Sequence, residues 1–198
     1  MRSAHSLESA AGCIVWLTGL SAAGKTTLAN ALAAALAERG IQRRVLDGDQ
    51  LRATVCRDLG FSRADREENV RRIYQLAVDE ALQGTMVVVA AIAPYRSLRD
   101  QLRGDSPVPF FEVFVDAPLA VCEQRDPKGL YLRARRGELK GLTGVGDPYE
   151  APLSPDARCR TDIESIEEST VQVLRLLEPY IASGAAAMLA SRSVSSSE

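Results

Sequence analysis

The chain has 198 residues, with 24 Lys and Arg against 26 Asp and Glu, 46% hydrophobic and 25% charged residues, four Cys and one His. That length and balance describe an ordinary soluble globular protein of one domain, large enough to bury a real core. A net charge of −2 argues against broad nucleic-acid binding, which needs a basic surface. The single His5, in a polar N-terminal stretch, argues against a His-based triad or a His-ligated zinc site.

Residues 1–11 read as an N-terminal tail. Cys13-Ile-Val-Trp-Leu-Thr18 is a short apolar run leading into glycine-rich sequence, the pattern of a buried strand. Thr26 to Arg39, rich in Ala and Leu, predicts a helix with Gly40 just past its end. Val45 and Leu46 close a second strand before Asp47-Gly48-Asp49. Ser62-Arg-Ala-Asp65 is a capping-box pattern, and the helix it opens carries Val70, Ile73, Ala77 and Ala81 at helical spacing until Gly84. Thr85 to Ile92 and Phe110 to Val115 are further strands. The last helix starts near Ser165, with Glu168 completing a second capping box, and buries Val173, Leu174, Leu177 and Ile181.

Strands that alternate with helices, and that are apolar runs rather than alternations, predict an α/β fold. Its sheet is mostly parallel, with helices on both faces. Residues 12–181 form this domain. Between about 119 and 160 the pattern changes, and this segment is the expected lid of the domain. Residues 125–140 hold six basic side chains (Arg125, Lys128, Arg133, Arg135, Arg136, Lys140) against Asp126 and Glu138, which suits an anion-facing lid or a solvated helix face. The Ala/Ser-rich end, 182–198, is expected to be disordered.

No two of Cys13, Cys56, Cys122 and Cys159 are close, so neither a zinc knuckle nor a redox pair is indicated. The longest apolar run, Met86 to Ala93, is stopped by Pro94, far short of the ~20 residues that span a bilayer. Residues 1–11 lack the apolar centre of a signal peptide. A cytoplasmic location without a membrane partner is the expectation.

Gly19-Leu20-Ser21-Ala22-Ala23-Gly24-Lys25-Thr26 matches G-x-x-x-x-G-K-[ST] in full, between a predicted strand and a predicted helix. Glycines let the backbone wrap closely so that its N–H groups face phosphate oxygens, and the following helix adds the positive end of its dipole. These residues, with Thr27 beside them, predict ATP binding. Lys25 reaches the β and γ phosphates and the Thr26 hydroxyl ligates Mg²⁺. No N-K-x-D guanine-reading sequence is present. The third strand ends Ala90-Ala91-Ile92-Ala93 without an acid, so carboxylates come from Asp47 and Asp49 after the second strand. Capping a helix is the alternative role for these two acids.

The chain resembles the adenylylsulfate kinase family of P-loop kinases. The resemblance runs from about Gly12 to Ile181 and rests on the phosphate loop, Asp47-Gly-Asp-Gln-Leu-Arg52, Asp58-Leu-Gly-Phe-Ser62 and Asp65-Arg-Glu-Glu-Asn-Val-Arg-Arg72. It continues through Pro94-Tyr-Arg96, Phe114-Val-Asp-Ala-Pro118, Cys122 to Tyr131, and Thr143-Gly144 through Asp147 to Pro152. It implies transfer of the ATP γ-phosphoryl group to the 3′-hydroxyl of adenylylsulfate, and a homodimer. It implies further that Asp49 orients or deprotonates that hydroxyl, that Asp47 lies close to Mg²⁺, and that Arg52, Arg66, Asn69, Ile92 and Lys140 hold the acceptor. By the same match Phe61 stacks on the acceptor adenine, and Arg125 with other lid cations faces ATP.

Arg66 and Asn69 lie three apart, on one helix face, where a salt-bridge network with Glu67, Glu68, Arg71 and Arg72 is the structural alternative. For Phe61 the alternative is a core aromatic. Two positions depart from the family. Ala93 stands where many bacterial members have serine, which excludes a phosphoserine there and leaves direct in-line transfer. Leu142 stands where the family has an aromatic that closes the adenine sandwich. A P-loop kinase for another hydroxylated acceptor, and a nucleotide-binding homologue without turnover, are the competing readings.

Overall fold

Cys13–Thr18 forms β1, and all six of its residues are buried, as an unbroken apolar run requires of a strand covered on both faces. The computed structural model describes residues 12–194, with side chains through residue 182. The expected N-terminal tail, with His5, lies outside the described residues, as do 195–198. Four further strands follow in the chain: β2 (Arg43–Asp47), β3 (Met86–Ala90), β4 (Phe110–Asp116) and β5 (Ala157–Arg160). They lie in the order β2-β3-β1-β4-β5 with every pairing parallel. The helices are α1 (Lys25–Glu38), α2 (Gly48–Ala53), α3 (Arg63–Ala81), α4 (Arg96–Gly104), α5 (Leu119–Arg125), α6 (Leu130–Arg135) and α7 (Ile166–Val194).

Alternate strand residues feed two cores. Val15, Leu17, Val88, Val113 and Val115 pack with Leu28, Leu32 and Leu36 of α1 and with Val173 and Leu177 of α7. Ile14, Trp16, Val87 and Val89 pack with Val70, Ile73 and Ala77 of α3 and with Leu98 and Leu102 of α4. This is the three-layer α/β architecture read from the sequence. Parallel strands also point their carboxyl ends the same way, which gathers the loops after β1, β2 and β3 at one edge.

The second capping box is complete. Ser165 Oγ accepts the Glu168 N–H at 3.1 Å, and the Glu168 carboxylate accepts the Ser165 N–H at 2.8 Å. At Ser62 the hydroxyl accepts the Asp65 N–H at 3.1 Å, but Asp65, one methylene shorter than glutamate, takes the Ser62 hydroxyl proton instead of reaching the backbone.

Four boundaries differ from the sequence reading. β3 stops at Ala90 rather than Ile92, because the carbonyls of Ile92 and Ala93 are taken by the side chains of Thr18 and Arg99 instead of by the backbone of a neighbouring strand. Helix α4 was absent from the sequence pattern, since only Leu98 and Leu102 mark its apolar side among charged residues. The segment 119–160 contains α5 and α6 and ends in a true sheet strand, β5, whose buried Ala157 and Cys159 make too short a signal to read. Helix α7 carries its backbone to Val194, past the Ile181 at which the sequence pattern ends the last helix; Ala, Leu and Met are strong helix formers.

Candidate functional site

The loop from Gly19 to Gly24 folds back between β1 and α1. A Cβ on Gly19 would lie 2.3 Å from the Val115 carbonyl oxygen, and Gly24 enters α1 with φ +102°, so both positions need glycine. Ala22 adopts φ +60°, which costs an alanine about 1–2 kcal/mol. No side chain caps α1, and its first N–H groups are left for a ligand in the loop. Lys25 Nζ donates to the carbonyls of Gly19 at 3.0 Å and Leu20 at 2.6 Å. Burial lowers its pKa to about 8, opposed in part by the Asp49 charge.

Asp47 takes the cap role and a second one. One carboxylate oxygen accepts the N–H groups of Asp49 at 2.9 Å and Gln50 at 3.2 Å, starting α2. The other accepts the Thr26 hydroxyl at 2.7 Å. Asp49 follows in the first turn of α2, exposed, and its carboxylate pairs with Lys128 from the loop between α5 and α6. Sequence reading placed Lys128 only among the lid cations, and no spacing connects it to position 49. Arg125 reaches the phosphate loop through the Ala22 carbonyl at 3.4 Å and also donates to the carbonyl of Thr161, just after β5, at 2.5 Å. Thr161, unnoticed in the sequence, donates its hydroxyl to the Ala23 carbonyl at 2.7 Å.

Beyond α2 a second group assembles. Phe61 is 61% exposed, which excludes the core-aromatic alternative. The Arg52 guanidinium sits 4.7 Å and that of Arg66 5.6 Å from its ring centre. Burial, and next the Arg66 charge, lower the pKa of Arg52. Arg66 does not join the helix-surface ion pairs; those belong to Arg63 and Arg71 with Glu67, and Arg72 with Glu68 and Asp58. It reaches across to the 141–147 loop instead. Its Nη1 bonds Thr143 Oγ1 at 3.0 Å, its Nη2 bonds the Gly141 carbonyl at 2.5 Å, and Asp147 pairs with it at 3.1 Å. Asn69 Oδ1 is buried with no partner, a polar atom held ready for a donor.

One cavity of about 830 Å³ is lined by both groups. Ser21, Ala22, Gly24, Lys25, Thr26, Thr27 and Arg125 line it from the phosphate loop. Asp47 and Asp49 also line it, as do Arg52, Phe61, Arg66, Asn69, Ile92, Lys140 and Leu142. Gly19, Leu20 and Ala23 do not; they form the backbone behind the lysine, and Leu20 packs on the core. Leu142 is half-buried, packing on the same core while facing the cavity.

The family model for adenylylsulphate kinase matches residues 11–160. An adenylyl-sulfate kinase of Gloeothece citriformis is 52% identical over 84% of this chain and 94% of its own length. The solved APS kinase of Mycobacterium tuberculosis, in complex with AMPPNP and APS, superposes with a TM-score of 0.81 at 47% identity, covering 85% of this chain and 98% of that one. A hexameric APS kinase from Thiobacillus denitrificans aligns at 34% identity with a TM-score of 0.63, over 88% of this chain and 29% of that one. The chain belongs to the adenylylsulphate kinase family.

Proposed function

We propose that this member of the adenylylsulphate kinase family transfers the γ-phosphoryl group of ATP to the 3′-hydroxyl of adenylylsulfate, giving 3′-phosphoadenylylsulfate and ADP. The observation that carries the reading is the shared cavity that joins a phosphate loop to a cluster of two arginines, one exposed aromatic and one unpartnered amide. Such a cluster suits a purine carrying a phosphosulfate.

Lys25 exchanges its two carbonyl partners for β and γ oxygens of ATP, and the N–H groups at the start of α1 take the rest. The acceptor 3′-oxygen attacks the γ phosphorus in line. The bond from that phosphorus to the β–γ bridging oxygen breaks, ADP leaves with the electron pair, and the hydroxyl proton passes to the Asp49 carboxylate. Lys128, paired with Asp49, brings a second ammonium to the same place. Arg52 and Lys140 hold the acceptor anion, Asn69 Oδ1 accepts from the purine or ribose, and Phe61 stacks on the base.

The Thr26 hydroxyl and Asp47 carboxylate, 2.7 Å apart, are hard oxygen donors of the kind Mg²⁺ takes with phosphates and water. Bound there, Mg²⁺ supplies neutralisation of the β and γ oxygens. The segment of about 119–160, with its basic stretch 125–140, acts as the lid within a kinase domain of 12–181. A homodimer in the cytoplasm is part of the same reading; light scattering tests the assembly. No helix among the described residues is long and apolar enough to cross a membrane.

The test is turnover of ATP with adenylylsulfate against other hydroxylated acceptors such as gluconate. ADP release tied to 3′-phosphoadenylylsulfate supports the reading. Equal or faster turnover of another acceptor refutes it.

A further inference from the structure

Three successive carbonyls of the cavity-lining turn after β3 are each taken by a donor from elsewhere. Ile92 O accepts Thr18 Oγ1 at 2.6 Å, Ala93 O accepts Arg99 Nη1 at 2.6 Å, and Pro94 O accepts the Glu150 N–H at 2.9 Å. The turn needs outside support. Ala93 is buried at φ +44°, a conformation that persists only where its surroundings hold it.

The segment 147–151 ties these donors together. Thr18 spends its proton on Ile92, so the Tyr149 hydroxyl, 3.0 Å away, donates to Thr18. The Glu150 carbonyl accepts Arg99 Nη2 at 2.6 Å, and its carboxylate accepts the Arg96 N–H at 2.8 Å. Arg99 is 3% exposed, with its Nε on Glu112 at 2.6 Å, so each nitrogen of the fork has a fixed partner. At the other end, the Asp147 carbonyl accepts the Gly144 N–H at 2.7 Å and its carboxylate pairs with Arg66. The loop held there carries Leu142 and Thr143 into the cavity lining.

We propose that the 147–151 segment is a positioning strap that holds two stretches of the lining, 92–94 and 140–143, at a fixed separation for the acceptor nucleotide. Tyr149 and Glu150 are its working residues and Arg99 is its buried anchor. None of the three lines the cavity, so each acts through a neighbour: Arg99 holds the Ala93 carbonyl, Tyr149 reaches Ile92 through the Thr18 hydroxyl, and Glu150 holds the Pro94 carbonyl with its N–H and the Arg96 N–H with its carboxylate. The inference rests on the proposed function, because it names the acceptor as the ligand affected.

Tyr149→Phe removes one hydroxyl and keeps the ring, which stacks on Phe114 at 6.1 Å. Glu150→Ala removes the carboxylate and keeps both backbone bonds. Each variant is expected to raise KM for adenylylsulfate about fivefold, the equivalent of one hydrogen bond. KM for ATP stays near that of the unsubstituted chain, and Tm falls by no more than the roughly 2–4 °C that one hydrogen bond is worth in a chain of this length. Glu150→Gln, whose amide oxygen still accepts from Arg96, restores the acceptor KM. Parallel rises in both KM values, or a lowered Tm with the acceptor KM unchanged, overturn the strap and leave these residues a structural role. Absence of adenylylsulfate turnover in the unsubstituted chain overturns the proposed function itself, and with it the strap's ligand.

Discussion

Replacing Phe61 by alanine separates a binding surface from a core residue, because the two roles differ in size and in readout. Full burial of a phenylalanine is worth about 1.5–3 kcal/mol, and less than half of this ring is covered, which leaves about 1 kcal/mol of stability at stake. The two guanidiniums over the ring, at 4.7 and 5.6 Å, lie at a largely exposed site and fall within the same figure. For a chain of this length, 1 kcal/mol moves Tm by roughly 2–4 °C. Stacking on a base is worth about 1–3 kcal/mol, so the Phe61→Ala variant loses about 5- to 150-fold in affinity for adenylylsulfate. Titration calorimetry with adenylylsulfate in the presence of ADP, beside a thermal melt, reads both quantities on one sample. A melt lowered by 10 °C or more, with acceptor affinity intact, would refute the reasoning and return Phe61 to the core. An affinity loss for ATP alone would show that the cluster serves the other nucleotide.

Asp49→Asn keeps a hydrogen-bonding group but no base, and lowers kcat by about 10²–10⁴ with little change in KM for ATP; steady-state kinetics showing an unchanged kcat remove Asp49 from the mechanism. Lys25 titrates at about 8 when folded, below the ordinary 10.5, so the folded chain binds fewer protons than the unfolded one between those values. Its buried charge therefore costs stability below pH 8, and that cost is relieved as pH rises toward 10.5. The advantage of Lys25→Met over the unsubstituted chain in urea unfolding should shrink between pH 7 and pH 10; a gap that widens reverses the sign and the argument. Leu142→Phe supplies the flat face that leucine lacks and is expected to tighten adenylylsulfate binding severalfold, leaving ATP unchanged. Its backbone is already pinned, since the Leu142 carbonyl accepts the N–H groups of Val145, Gly146 and Asp147. Weaker binding in a folded variant would mean the half-buried leucine already fills that wall.

What the chain declares by itself is whatever depends on neighbours in sequence. The apolar runs of β1, β3 and β4, the capping box at Ser165 and the complete phosphate-loop motif are local patterns. The phosphate site follows from them, because the loop, Lys25 and Thr26 are adjacent residues. The tertiary structure decided everything that depends on distant residues meeting. Helix α4 carries only two apolar anchors, and β5 only two buried residues, so neither has a period long enough to read; both exist because packing against the finished sheet stabilises them. Lys128 meets Asp49, and Arg66 leaves its charged helix neighbours for a loop some 75 positions away, through folding alone. The backbone strain at Ala93 has no mark in the sequence. Its backbone is held by Arg99 and the 147–151 segment, whose hydrogen bonds exist only once α4, β4 and that segment are packed together. Periodicity and capping are one-dimensional properties of a chain, whereas a buried polar network is satisfied only in three dimensions.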